Sequence, residues 1–199
     1  AAESGCAVVG PRGAARSLAA SLVVQAVVLH PPEVVSVSVC ASPAAHGAWA
    51  WVGRLPHGRG VHRWADTIAD HLGGLAVDVG SAPHHLMIVE QGAAVDPAGL
   101  VAAAARPEVH VVWVGEDDVD TPPMCTTWVS LGVDGGHLRR APGRGAGVHR
   151  GAGVHRFVPE SVDEHQIAVT VAHLVGRRGG GTRGDVDGDL QLGATAAGV

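Results

Sequence analysis

The stretch Gly10-Pro-Arg-Gly-Ala-Ala-Arg-Ser17 lies between a short apolar run, Cys6 to Gly10, and a long apolar segment. That is the setting in which the pattern GxxxxGK[ST] binds phosphate: glycines let backbone N–H groups cradle the phosphates, Lys reaches the β and γ groups, and the hydroxyl holds magnesium. Gly10 and Ser17 match, Ala15 replaces the second Gly, and Arg16 stands at the Lys position. The chain contains no Lys at all. The planar guanidinium fork does not reproduce a Lys ammonium, so hydrolysis of ATP is not expected here. The second half of such a site is a hydrophobic strand ending in acids that order magnesium and the attacking water. Leu86-Met-Ile-Val-Glu90-Gln91 has the strand but one acid. Glu90 is either a ligand on the metal side or simply the first solvated residue after a strand. The candidate nucleotide-site residues are therefore Gly10, Gly13, Arg16, Ser17 and Glu90, and weak binding of ATP with magnesium is the most they are expected to offer.

Other chemistry finds less support. There are thirteen His residues but no HExxH, and His84-His85 has no partner at ligand spacing on a recognisable element, so no metal is expected. Asp185-Val-Asp-Gly-Asp189 begins like a calcium loop but carries Leu190 where Gly is needed and Ala196 where the bidentate Glu belongs. No GxSxG is present, which removes the hydrolase nucleophile elbow. Cys6, Cys40 and Cys125 are odd in number and form no CxxC, so neither a zinc knuckle nor a disulfide framework is indicated.

The elements that must position the candidates can be read from periodicity. Cys6–Gly10 reads as a strand, and Ala15–His30 as a well-buried helix whose Ser17, Ser21 and Gln25 recur every four residues, stopped by Pro31-Pro32. Val34–Cys40 alternates Val with Ser and Cys, the period of a strand. A helix is expected over 62–72, a strand covered on both faces over 85–89, a helix from Asp96-Pro97 to Ala105, and strands over 109–114 and 125–131. Trp113 and Trp128 fall inside these strands. Residues 135–156 read as a Gly/Arg-rich loop containing an exact tandem hexapeptide, 145–150 and 151–156, too short a repeat for a solenoid. Ser161-Val-Asp-Glu164 has the form of a capping box opening a last helix to Arg178. Strands alternating with helices imply an α/β fold, three-layer with a mainly parallel sheet, of the RecA and P-loop-NTPase kind.

The 199 residues are 46% hydrophobic and 17% charged with a net charge of −5. This suits one domain with a real core and provides no global attraction to nucleic acid. Domain boundaries are expected at 1–178 for the α/β domain and 179–199 for a linker or frayed tail. The uncharged stretch between Arg16 and Glu33 is shorter than a membrane span requires. No basic-then-apolar leader precedes the first strand, and the chain reads as a piece of something longer.

Several stretches together resemble the EccC-type, FtsK/SpoIIIE-family ATPases of actinobacterial type VII secretion systems. Gly10 to Ala19, then Leu22–Leu29 with His30-Pro-Pro-Glu33, is similar to the family's helix and "LH.PE" passage. Trp49-Ala-Trp51-Val-Gly-Arg-Leu55-Pro56-His57 is similar to its Trp-rich "WLPH" signature, the most specific piece. His84 to Glu90 resembles the "PHLVVVVD" strand, Pro122 to Val129 the "CRTWLDV" strand, and Phe157–Ser161 with the following helix the closing segment. The resemblance covers roughly residues 6–178. It implies a degenerate ATPase-like domain, placed between the membrane anchor and the first motor domain on the cytoplasmic face of the membrane, that couples the motors to the pore without hydrolysing ATP. The implied partners are other ATPase domains of an oligomeric parent chain and membrane components of the secretion machinery. Trp49, Trp51, Leu55, Pro56 and His57 are implied contacts with a neighbouring domain, the alternative for the tryptophans, Trp64 included, being to anchor a small-residue core. Two other readings stand beside it: a weakly active ATP-binding domain, and a DNA-translocating FtsK-type motor fragment using Arg139, Arg140, Arg144, Arg150 and Arg156 on a phosphate backbone.

Overall fold

The computed structural model describes residues 5–62, 83–93, 95–140, 155–159 and 162–179. Eight strands among them form one sheet in the order β3-β2-β4-β5-β1-β6-β7-β8, with β1 Gly5–Val9, β2 Val35–Cys40, β3 Gly58–His62, β4 His84–Glu90, β5 Val109–Gly115, β6 Cys125–Gly132, β7 Gly135–Arg140 and β8 His155–Phe157. The first six in spatial order run parallel, and β7 and β8 extend the sheet antiparallel. The helices are α1 Arg12–Leu29, α2 His46–Trp49, α3 Pro97–Ala104 and α4 Glu164–Gly179, with a 3-10 turn at Val52–Arg54.

Alternation along each strand splits the core in two. Val8, Val37, Val39, Ile88, Val112 and Val114 face α1 and the segment around Trp49. Ala7, Val9, Met87, Val89, Val111 and Trp113 face the α3 side with Leu100 and Ala103. This is the three-layer, mainly parallel α/β arrangement the sequence leads one to expect. By length and composition α1 is apolar enough to cross a membrane, yet Ala15, Ala19, Ala20, Val23 and Val27 are buried, and the helix lies against β1, β2 and β5. Small residues on that face let it approach closely.

Asp96 caps α3 as expected, its carboxylate accepting from the Ala98 and Gly99 N–H groups at 3.2 and 2.9 Å, with Pro97 at the first helical position. Other expectations need correction. Helix α1 begins at Arg12 rather than Ala15, because Pro11 fixes φ at −48° and the Gly-Ala-Ala that follows enters the helix directly. Strand β2 forms over Val35–Cys40 with all six positions buried, the serines included. His62 ends a strand rather than starting a helix; the remainder of the helix expected over 62–72, with Trp64, lies outside the described residues, as do 141–154 and 180–199. The proposed 135–156 loop begins and ends as β7 and β8. Ser161 also lies outside the described residues, and the reciprocal cap at α4 is made by Asp163 and Gln166: each backbone N–H donates to the other's side chain, at 2.9 and 2.7 Å.

Candidate functional site

Strand β1 ends at Val9, and two residues later the chain is helical. Gly10 makes the turn at φ +148°, where a Cβ would sit 2.7 Å from the Leu131 carbonyl oxygen, so both conformation and space demand glycine. Its N–H donates to the Gly115 carbonyl at 3.1 Å, and the Ala15 N–H already donates to Pro11 at 3.0 Å. Residues 12–17 are therefore the opening turns of α1 and do not form a loop that wraps around a phosphate. Among the described residues nothing lies within 4 Å of where a Cβ at Gly13 would be, so their packing places no demand for glycine there.

The candidate side chains are engaged within the chain. Ser17 Oγ donates to the Val162 carbonyl at 3.0 Å, in the segment leading into α4. Arg16 Nη2 forms an ion pair with Glu90 Oε1, the side chains being 26% and 5% exposed. The other carboxylate oxygen of Glu90 accepts the indole N–H of Trp49 at 2.6 Å. Glu90 sits at the end of β4, one strand removed from β1 with β5 between them, so the strand order brings the Lys-position residue and the strand-end acid together. Arg16 Nε is buried and has no hydrogen-bond partner among the described residues.

The cleft above this pair measures about 10 Å³ and is lined by Arg12, Ala15, Glu90, Gln91, Val114 and Gly115, with Glu116. That is room for about one water. Glu116 lines the cleft, and Asp117, Asp118 and Asp120 follow it in the chain. Arg12 pairs with Glu116 at 2.7 Å, while Gln91 accepts from the Glu116 N–H at 2.8 Å and donates to Asp120 at 2.9 Å. The two arginines that could meet a polyphosphate here, Arg12 and Arg16, are each paired with a carboxylate, Glu116 and Glu90.

The segment from Trp49 to His57 is an internally packed strap. Trp49 and Trp51 stack with ring centroids 6.3 Å apart; Trp49, Trp51, Leu55 and His57 are buried and Pro56 is half-buried. His57 Nε2 donates to the His30 carbonyl at 2.8 Å, and a Cβ at Gly58 would collide with the Val52 carbonyl. The strap thus ties Glu90 at one end of the sheet to the C-terminus of α1 at the other. Trp113 and Trp128 lie in β5 and β6 as expected.

Two arrangements escaped sequence reasoning. The buried His85 ring is held between Ser36 Oγ and Ser38 Oγ, each at 2.8 Å; the Ser alternation in β2 was the available signal. The His84 and His110 rings meet across β4 and β5, a contact for which spacing along the chain holds no sign.

The fold and the position of Glu90 relative to β1 define the chain as α/β of the P-loop-NTPase kind. Among solved structures it is similar to the cytoplasmic domain of the Thermomonospora curvata type VII secretion ATPase EccC, with a TM-score of 0.58 at 16% identity over 87% of this chain and 27% of that one. A structure of T. curvata EccC ATPases 2 and 3 in complex with a signal sequence peptide gives a TM-score of 0.53 at 15% identity, covering 87% of this chain and 42% of that chain. The cytoplasmic domain of EssC gives 0.53 at 10% identity, with 88% and 44% covered. This chain therefore has the fold of the cytoplasmic domains of type VII secretion ATPases, and spans less than half the length of those structures. No family model matches the sequence, and no curated protein matches it by sequence.

Proposed function

We propose that the chain is a non-hydrolytic coupling domain of a membrane-bound FtsK/SpoIIIE-type ATPase that powers type VII protein secretion. The observation that carries this reading is the closed cluster Arg16, Glu90 and Trp49: the charges that would meet phosphate and magnesium neutralise each other. The domain spans 1–178, followed by a linker, and works at the cytoplasmic face of the membrane against the other ATPase domains and the membrane components of an oligomeric machine. The strap from Trp49 to His57 acts there by holding its surface rigid, with Ala50, Gly53 and Arg54 exposed and Pro56 half-buried. Gly10, Gly13, Arg16, Ser17 and Glu90 are the relic of a nucleotide site, to which ATP with magnesium binds weakly if at all.

Calorimetric titration of ATP with magnesium into the chain, together with phosphate release, tests the reading. No turnover and at most weak binding are expected. Tight binding with turnover abolished by Ser17→Ala would overturn it. The DNA-translocating alternative is disfavoured by Arg139, whose guanidinium lies 5.0 Å from the centroid of the Trp128 ring, and by Arg156, which donates to the Asp134 carbonyl at 3.2 Å. DNA binding with a steep salt dependence, lost on Arg→Ala changes over 139–156, would restore it.

A further inference from the structure

His84 opens β4 and His110 is the second residue of β5. The parallel register pairs Leu86 with His110, which sets the two imidazoles diagonally on adjacent strands. His84 Nδ1 and His110 Nε2 are 3.3 Å apart, with ring centroids at 5.4 Å and planes tilted by 36°. Both side chains are exposed. Beside them lies a cavity of about 390 Å³ whose lining includes His30, His84, His110, Val34, Val35 and Leu86.

We propose that His84 and His110 form a binding site for a divalent transition-metal ion of the zinc type, distinct from the Arg16 and Glu90 cluster. Zinc bonds to imidazole nitrogen at about 2.0–2.1 Å, and two such bonds at a tetrahedral angle separate the nitrogens by roughly 3.3 Å. The spacing between the two rings already equals that value, so an ion enters by replacing the single shared hydrogen bond without rebuilding either strand. Each ring then carries its proton on the nitrogen turned away from the metal. Imidazole suits zinc, copper and nickel, whereas calcium and magnesium prefer oxygen.

Among the described residues no third His, Cys, Asp or Glu completes a metal-holding group. Water fills the remaining positions, on the side open to the cavity. The site lies at the opposite end of β4 from Glu90, about 20 Å away at strand rise. The ion acts as a clamp that pins β4 to β5 and takes no part in nucleotide chemistry. The next residue, His85, faces the other way into its serine pair, so changes at position 84 leave that buried contact in place.

The test is calorimetric titration of zinc chloride alone into the whole chain, with nitrogen NMR of the imidazoles. One ion per chain is expected, with shifts at His84 Nδ1 and His110 Nε2 and a rise in Tm, as follows for an ion that binds only the folded state. His84→Ala and His110→Ala should each weaken zinc at least tenfold and abolish the rise in Tm, while His165→Ala, at an exposed position on α4, should change neither. Absence of zinc binding by the wild-type chain, or affinity unchanged in both His84→Ala and His110→Ala, would overturn the proposal.

Discussion

The indole N–H of Trp49 donates to Glu90 at 2.6 Å, inside the protein. A residue of the strap thereby fixes the carboxylate that Arg16 neutralises. The two features, separated by 41 positions in sequence, are one structural unit, and its energetics can be tested residue by residue.

Glu90→Gln keeps an acceptor for the Trp49 N–H but leaves the Arg16 guanidinium without its counter-charge. Breaking one partner of a buried pair costs about 3–5 kcal/mol, and a loss toward the lower end is expected because Arg16 retains some exposure. Urea unfolding of Glu90→Gln and of Arg16→Met with Glu90→Gln checks this. The double variant should recover part of the loss, and equal losses in the two proteins would contradict the internal pairing.

Gly10→Ala and Gly13→Ala should move stability in opposite directions. The first forces a side chain onto a positive φ and into the Leu131 carbonyl, at a cost of about 2 kcal/mol or more. The second replaces glycine in a helix with open space around it, and should stabilise by roughly 0.5–1 kcal/mol. Thermal unfolding of both variants distinguishes the cases.

Acidification should weaken the fold through His110. Its folded-state pKa lies below the usual 6.5, so the unfolded chain binds more protons as pH falls from 6.5 toward the folded value. Stability is full above 6.5 and is lost as pH falls through the lower value. The difference in Tm between pH 7.5 and pH 5, measured with a chelator present, should be smaller in His110→Gln than in the wild type.

The thiols should be inert while the protein is folded. Burial pushes Cys6 up to about 11 and Cys40 up to about 12, and burial followed by the neighbouring Cys6 pushes Cys125 up to about 12. Reaction with a maleimide at pH 8 should be slow in buffer and fast in urea, because the thiolate is the nucleophile. Rapid labelling of Cys40 in the native state would place its surroundings in contact with water.

Most of the parallel part of the sheet was legible because its strands carry their own signals: the Val alternation in β2, the Val-rich run in β5 and the apolar run before Glu90 in β4; β3, Gly58–His62, was not, since Gly58-Arg-Gly-Val-His62 holds no apolar run. The antiparallel half was not, for a steric reason. Gly135 adopts φ +110°, and a Cβ at Gly136 would collide with the Phe157 ring. Glycines that make room for an aromatic ring on the neighbouring strand look, in sequence, like the glycines of a loop. The site was legible as a set of residues but not as a state. Arg16 and Glu90 were recognisable by type, yet their pairing across 74 positions depends on strand order, which no local pattern encodes. The helical start at Arg12 also went unread, since Gly-rich composition suggests a loop where the backbone follows α1.

Phe157 on Gly136 also fixes how this end of the molecule tolerates change in length. The pairing of Gly136 with Phe157 and of Leu138 with His155 sets the β7–β8 register at the strands themselves, while the duplicated hexapeptide falls mostly in the connection between them. Antiparallel neighbours need no connection of fixed span, and closing a longer loop costs only about 0.6 kcal/mol for each doubling. A second copy of six residues is therefore nearly neutral here, whereas the same insertion between β1 and α1 would separate Arg16 from Glu90. The sheet thus has a permissive edge and an intolerant centre, and the repeat lies at the edge.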